Sequence, residues 1–282
     1  MKKIMIALLT LGSFSLTAQI TTPAPSPAAK VWQTVGLTEV TIDYSRPLKR
    51  DRVIFGDLVA YDKMWRTGAN KNAMITTSEI LIFGTDSLKA GTYSIFTTPK
   101  KGNSWDVYFY MDTENWGTPG EWDENLVAVK TTAIVSASNT ITESFTIAIE
   151  NVTMNGAELS FAWDDTKAVV SFAVPTNDAV LESIDKVMNG PSAGDFYSAA
   201  SFYLTQKTEL VLALKYINNA LDMKKNKPFW YLRKKALIQA EMGDFNGATA
   251  TAKLSMESAK DAGNEDYVNS NAKSIEEWSK KK

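Results

Sequence analysis

The sequence predicts a mainly β N-terminal domain, a β-sandwich with a β-barrel as the alternative, followed by an all-α domain of paired helices. Two observations carry that expectation. Between residues 30 and 175, short apolar segments alternate with period two and are separated by turn-forming residues. Beyond Pro175 the period lengthens to that of an amphipathic helix, and small residues recur at a fixed long spacing. A composition of 44% hydrophobic and 22% charged residues over 282 positions suits a folded chain of one large or two smaller domains.

The chain opens with Met1-Lys2-Lys3 and an apolar run from Ile4 to Leu16, with Ala18 just before Gln19. This is the outline of a secretory signal peptide over residues 1–18, too short to span a bilayer. It implies an exported protein, periplasmic or secreted, with no membrane span after signal removal. No cysteine follows the apolar run, so a lipid-anchored form is not expected. Residues 19–29, rich in Thr, Pro and Ala, read as an extended tether. Loss of residues 1–18 removes two lysines and no acid, moving the formal charge from -2 to -4, which argues against a nucleic-acid partner.

Strands follow over residues 30–175. Val40, Ile42 and Tyr44 alternate with Thr41, Asp43 and Ser45, so one face points inward. Ile80 to Phe83 precedes the turn-rich Gly84-Thr85-Asp86-Ser87, and Tyr93 to Thr98 stops at Pro99. Trp105 to Met111, Leu126 to Val129, Phe145 to Ile149, Leu159 to Trp163 and Val169 to Val174 complete the set. Asp164-Asp165 reads as a hairpin turn between the last two.

After Pro175, Val180, Leu181, Ile184 and Val187 lie on one face of a helix stopped by Asn189-Gly190-Pro191, giving a linker helix within 176–195. Ala213, Ile217 and Ala220 recur as Ala248, Ala252 and Ser255, each 35 positions on. A repeat of about 34 residues with small side chains at helix crossings is similar to the tetratricopeptide pattern. Residues 196–227 and 229–262 form two degenerate units, with Glu265 to Lys280 as a capping helix, so 196–282 is expected to be a tetratricopeptide-like domain. Trp230, Tyr231 and Trp278 read as core or capping aromatics.

Cysteine and histidine are both absent. That removes disulfides, Ser-His-Asp and Cys-His nucleophile pairs, zinc held by imidazole or thiolate, and haem with His or Cys axial ligands. Carboxylate pairs, Lys or Tyr chemistry and oxygen-ligated metals remain open. No cofactor, no metal and no catalytic residue is expected.

The densest cluster of unusual residues runs from Tyr44 to Asn70: Tyr44-Ser45-Arg46-Pro47, then Arg52, Ile54-Phe55-Gly56, and Trp65-Arg66-Thr67-Gly68-Ala69-Asn70. With Ala90-Gly91-Thr92-Tyr93-Ser94 and Trp116-Gly117 in the same order, residues 26–175 resemble the bacterial domain-of-unknown-function family twenty-nine-eleven. The resemblance implies a β-rich, mostly exported domain, frequently followed by helices, and no substrate. Glu121-Trp122-Asp123 departs from the family pattern, which tends toward a Tyr and a spaced Asp after Trp116-Gly117.

Guanidinium groups bind carboxylate, phosphate or sulfate through paired donors and stack on aromatic faces. Tyr44, Arg46, Arg52, Trp65, Arg66 and Asn70 are therefore the ligand-binding candidates, with Arg50 beside them, and an anionic or glycan ligand is the expected class. In a competing structural reading the arginines bond backbone carbonyls and pin a long crossover loop, and loss of Arg66 mainly destabilises the fold. The Asp112 to Asn125 loop holds many oxygen donors but lacks the spacing of a twelve-residue calcium loop. Glu121 or Asp123 with Asp164 or Asp165 are drawable carboxylate pairs. Trp105, Trp116, Trp122 and Trp163 are drawable sugar platforms. The preferred reading is an exported, non-enzymatic scaffold or binding protein whose helical half meets a protein partner. The alternative is a carbohydrate-active enzyme or sugar-binding module near the Trp116 loop.

Overall fold

The computed structural model describes residues 22–188 and 190–281. The expected signal peptide and the first residues of the tether lie outside them. The chain divides into two compact units, Met1–Thr176 and Asn177–Lys282.

The first unit is one open antiparallel sheet of nine strands: β1 (Ala28–Val35), β2 (Thr38–Ser45), β3 (Ala73–Thr77), β4 (Leu81–Phe83), β5 (Asp86–Leu88), β6 (Gly91–Thr98), β7 (Ser104–Tyr110), β8 (Val127–Glu150) and β9 (Gly156–Ala173). Their order across the sheet is β1-β2-β3-β6-β7-β8-β9-β4-β5. Alternation sets the register: Thr38, Val40, Ile42 and Tyr44 are buried on β2 while the residues between them are not. A one-residue slip would turn that whole set to solvent.

The sheet folds over itself because β8 and β9 are long enough to serve both of its ends. Residues 127–134 of β8 pair with β7, whereas residues 142–150 pair with the first half of β9. The latter stretch also meets the chain leaving β2. Phe145 N donates to Pro47 O at 2.9 Å, Lys49 N donates to Glu143 O at 2.7 Å, and Leu48 bridges Ser144. The main apolar core holds Trp105, Phe109, Phe145, Phe161 and Trp163, and Phe96, Tyr108 and Tyr110 form a smaller second cluster.

Two expectations need correction. The segments 159–163 and 169–174 belong to a single strand, and Asp164-Asp165 is no hairpin turn. Asp164 is a left-handed residue (φ 56°) inside β9, at a register shift against β8. Such a bulge bends a strand without ending it, and the Lys49 ammonium stands 3.5 Å from its carboxylate. For the same reason 127–129 and 145–149 lie toward the two ends of β8, with Leu126 in the 3-10 turn Glu124–Leu126 that precedes it.

The second unit holds α1 (Thr176–Val187), α2 (Ala193–Gln206), α3 (Leu210–Asp222), α4 (Phe229–Glu241), α5 (Phe245–Asp261) and α6 (Glu265–Ser279). Ser192 and Asp195 form a capping box that starts α2, and Asp244 and Asn264 cap α5 and α6. These caps accept backbone N–H groups that a helix start leaves unpaired. Each helix from α2 onward packs on the next, and α2 also touches α4 as α4 touches α6. Ala213, Ile217 and Ala220 on α3 and Ala248, Ala252 and Ser255 on α5 are all fully buried, at the helix crossings. Among the described residues no helix is long and apolar enough to cross a membrane.

Candidate functional site

Four of the six candidate residues, Tyr44, Arg46, Arg52 and Asn70, spend their polar atoms on the fold. Tyr44 is buried at the end of β2, its ring edge-on to Phe145 (6.0 Å), its hydroxyl donating to Ile147 O at 3.3 Å. Arg46 donates from Nε to Phe145 O (3.0 Å) and from Nη2 to Thr146 Oγ1 (2.6 Å), fastening β2 to β8. Arg52 donates to Lys49 O (3.1 Å) and Leu48 O, closing its own turn. Asn70 reaches Ser26 O at 3.2 Å and Ser45 Oγ at 3.3 Å, tying down the segment before β1.

Trp65 and Arg66 differ. Trp65 exchanges two backbone hydrogen bonds with Thr97 of β6, at 2.7 and 3.0 Å. Its indole stacks on Trp163 (5.9 Å, 14° between planes) and meets Phe145 and Phe55 edge-on. That holds the indole against the core and fixes where the next residue goes. Arg66 then makes no side-chain hydrogen bond or ion pair among the described residues, and its Nε is buried without an acceptor. The expectation that Arg66 pins the loop through backbone carbonyls is corrected: Arg46 and Arg52 do that.

The backbone after Arg66 is held in a costly shape. Thr67 is fully buried with φ 56°, a region that β-branched residues avoid, and Asn70 has φ 59°. Such a residue costs about 1–3 kcal/mol and persists where surrounding contacts over-determine it. Here the Thr67 hydroxyl sits 3.1 Å from Thr97 Oγ1. A side chain at Gly68 (φ 144°) would meet Ser45 O at 3.1 Å, so the loop passes tightly over the end of β2.

Arg66, Arg50 and Arg52 line one cavity of about 330 Å³ with Trp65 and Trp163 on its wall. Among the described residues no carboxylate lines it. Arg50 enters because its backbone N–H is caught by Glu143 Oε1 at 2.7 Å, with φ 53°, while its guanidinium carries no partner. Two unpaired guanidinium groups thus face one polar space, with a third held rigidly beside them. An oxyanion with several acceptor atoms is the chemistry that matches.

Two further buried donors are orphaned: Asn72, which the sequence did not single out, and Asn115, which it offered only among the oxygen donors of the Asp112 to Asn125 loop. Asn72, 2% exposed, accepts Gly117 N–H on Oδ1 at 2.9 Å, which leaves Nδ2 buried and unpaired. Asn115 Nδ2 is also buried without an acceptor. A Cβ at Gly117 would stand 3.9 Å from Arg66 Nη1, so the Trp116-Gly117 motif packs against this arginine. The order of motifs along the chain was the available signal: it set the Trp116 loop beside the arginine stretch without saying what joined them.

The other candidates lose their open geometry. Trp105 and Trp163 are core, Trp122 stacks on Tyr110 at 4.3 Å, and Trp116 alone of the four is mostly exposed at 77%. They form no coplanar exposed platform. Asp112 accepts Glu114 N–H, and Asp123 accepts from both nitrogens of Asn125. Asp164 faces Lys49. Among the described residues no group of three or more carboxylates gathers where a cation would sit.

A family model described as a protein of unknown function (DUF2911) matches residues 26–172, more than half of the chain. The chain belongs to that family. No tetratricopeptide model matches the helical region. No curated protein and no solved structure matches the chain.

Proposed function

We propose that this DUF2911 member is an exported, non-enzymatic binding protein whose β-unit takes a small oxyanionic ligand, a phosphate- or carboxylate-bearing molecule, in the Arg50–Arg52–Arg66 cavity. One observation carries the reading: Arg66 has a buried Nε with no acceptor, beside a cavity without a carboxylate. A buried donor left unpaired costs about 1–3 kcal/mol, more for charged groups, and a bound oxyanion removes that cost. The strained Thr67 that aims Arg66 agrees with a site held ready in advance. Export rests on the lysines and apolar run that open the sequence. The helices serve as a tetratricopeptide-like surface for a protein partner, supported by the 35-residue recurrence of buried crossing positions on α3 and α5.

Calorimetric titration of the full chain with inorganic phosphate, sulfate and citrate tests the cavity. At least one anion is expected to bind and to raise the unfolding midpoint of the β-unit as ligand linkage requires. Arg66→Met is expected to abolish both effects while the protein stays folded. If none of the three anions binds, or if Arg66→Met binds them as tightly as the parent, the reading fails.

A further inference from the structure

The helical unit has a groove of its own, separate from the β-unit cavity. Residues of α2, α4 and α6 line a groove of about 360 Å³, with Tyr197, Trp230, Arg233, Lys234 and Tyr267 in its wall. That is within the range of small-ligand clefts, roughly 300–1,000 Å³. Its aromatic wall is rigid. Tyr197 stacks on Tyr231 at 4.4 Å, and Phe229 meets Trp230 and Tyr267 edge-on at 4.9 and 4.8 Å. Trp230 nevertheless stays 41% exposed, which corrects its reading as a core or capping residue, whereas Tyr231 and Trp278 are buried.

Two cations sit side by side on α4 and are treated differently. Arg233 donates to Asn271 Oδ1 (3.3 Å) and Ser274 Oγ (2.9 Å), and lies over the Trp278 ring at 5.8 Å. Lys234 has no hydrogen bond or ion pair among the described residues; its Nζ stands over the Tyr197 ring at 5.7 Å. Burial alone pushes the Lys234 ammonium below the ordinary lysine value. Asp266 also lines the groove but pairs with neither cation. A half-buried ammonium with only a ring face beside it lacks the anion that would offset its desolvation.

We propose that this groove binds an acidic peptide segment, seating a carboxylate against Lys234 with an adjacent apolar or aromatic side chain on Trp230 and Tyr267. The proposal rests on the reading of the helices as a partner surface and adds the chemistry of that partner. A peptide is favoured over a lone acid because the lining spans three helices and pairs one cation with several rings, more surface than a single carboxylate covers.

The experiment uses the full chain and three labelled six-residue peptide mixtures, randomised except for a central Glu-Phe, Gln-Phe or Lys-Phe pair, read by fluorescence anisotropy. The Glu-Phe mixture is expected to bind at least about tenfold more tightly than the other two, the ratio a charge-assisted contact supplies. Lys234→Met, folded by circular dichroism, is expected to lose that preference, while Arg66→Met keeps it. Equal binding of the three mixtures, or a preference that survives Lys234→Met, would overturn the acid-selective site and leave a peptide surface. Displacement of Glu-Phe by equimolar acetate would overturn the peptide assignment. No binding by any mixture would remove the partner surface as well.

Discussion

The two units differ at their tightest packing points, although rings such as Phe202, Tyr203 and Tyr231 are buried in the helical unit too. The β-unit uses rings, with Trp105, Phe109, Phe145, Phe161 and Trp163 in its core, while the crossings of the helical unit are filled by Ala213, Ala220, Ala236, Ala248 and Ala252. Geometry explains the split. Packed sheet layers stand about 10 Å apart and leave a gap that only large side chains close. Helix axes at about 8–10 Å bring the backbones almost into contact, so a methyl group is what fits. A second contrast, between half-buried cations, runs within each unit: Arg46 is bonded where Arg66 is not, and Arg233 is bonded where Lys234 is not. Spent donors hold a fold together; unspent ones are the basis of the ligand sites proposed above.

The sharpest way to break the first contrast is to reverse it. Phe161→Ala is expected to cost about 3–5 kcal/mol, transfer plus cavity. Ala252→Leu is expected to cost about 1–3 kcal/mol through overpacking. Urea unfolding followed by indole fluorescence tracks mainly the β-unit, because six of the eight tryptophans lie before residue 176, and circular dichroism at the helix band tracks the other unit. A Phe161→Ala cost under about 1 kcal/mol would mean that the rings do not fill the gap as described.

A smaller pair of effects tests the second contrast. Asn271 is fully buried, donates to Ser255 Oγ (3.0 Å) and Tyr267 O (2.8 Å), and accepts from Arg233. Asn271→Leu strands those groups and is expected to cost about 2–3 kcal/mol. Arg46→Met should cost a comparable amount by releasing Phe145 O and Thr146 Oγ1. Arg66→Met removes a buried donor that has no native bond, so it should leave stability equal to the parent's or raise it, by up to about 1–3 kcal/mol. If Arg66→Met destabilises as much as Arg46→Met, the distinction between spent and unspent arginines collapses.

What could be read ahead of the structure followed from periodicity. The alternation at 40–45 and the recurrence of Ala213, Ile217 and Ala220 as Ala248, Ala252 and Ser255 are local patterns, and each emerges as a buried face. Asp164-Asp165 was illegible because its composition is that of a turn, whereas its role depends on Lys49 and on a register shift against Thr142. The arginines failed for the same reason. Arg46, Arg52 and Arg66 are chemically alike and close in sequence, but Arg46 finds its acceptor 99 positions away. Which of them stays unpaired is decided by long-range packing, and so are the orphaned Asn72 and Asn115.

The smallest effect concerns carboxylates and acid. Asp106 on β7 is surrounded by cations: Lys100 at 2.8 Å, Lys130 at 3.4 Å, with the Tyr108 hydroxyl donating at 3.2 Å. Burial pushes this carboxyl up, but those three partners together outweigh it and hold the pKa below its ordinary value. A folded pKa below the unfolded one, about 3.9, contributes stability that is present above that pH and is lost as pH falls through the folded value. The helical unit has an acid with the same sign, Asp195, held down by the Ser192 hydroxyl and backbone N–H in an exposed capping box. The two differ in what supplies the shift. Ion pairs screened by salt act at Asp106, whereas hydrogen bonds donated by the Ser192 hydroxyl and backbone N–H act at Asp195. Asp106→Asn should therefore flatten the acid limb of β-unit stability between about pH 5 and pH 2, by no more than about 1 kcal/mol, and added salt should shrink the parent's limb toward the mutant's. Asp195→Asn, whose amide still accepts at the cap, should leave the β-unit limb untouched. An acid limb that survives both Asp106→Asn and high salt would place the β-unit's acid sensitivity in other carboxylates, Glu150 beside Lys167 first among them.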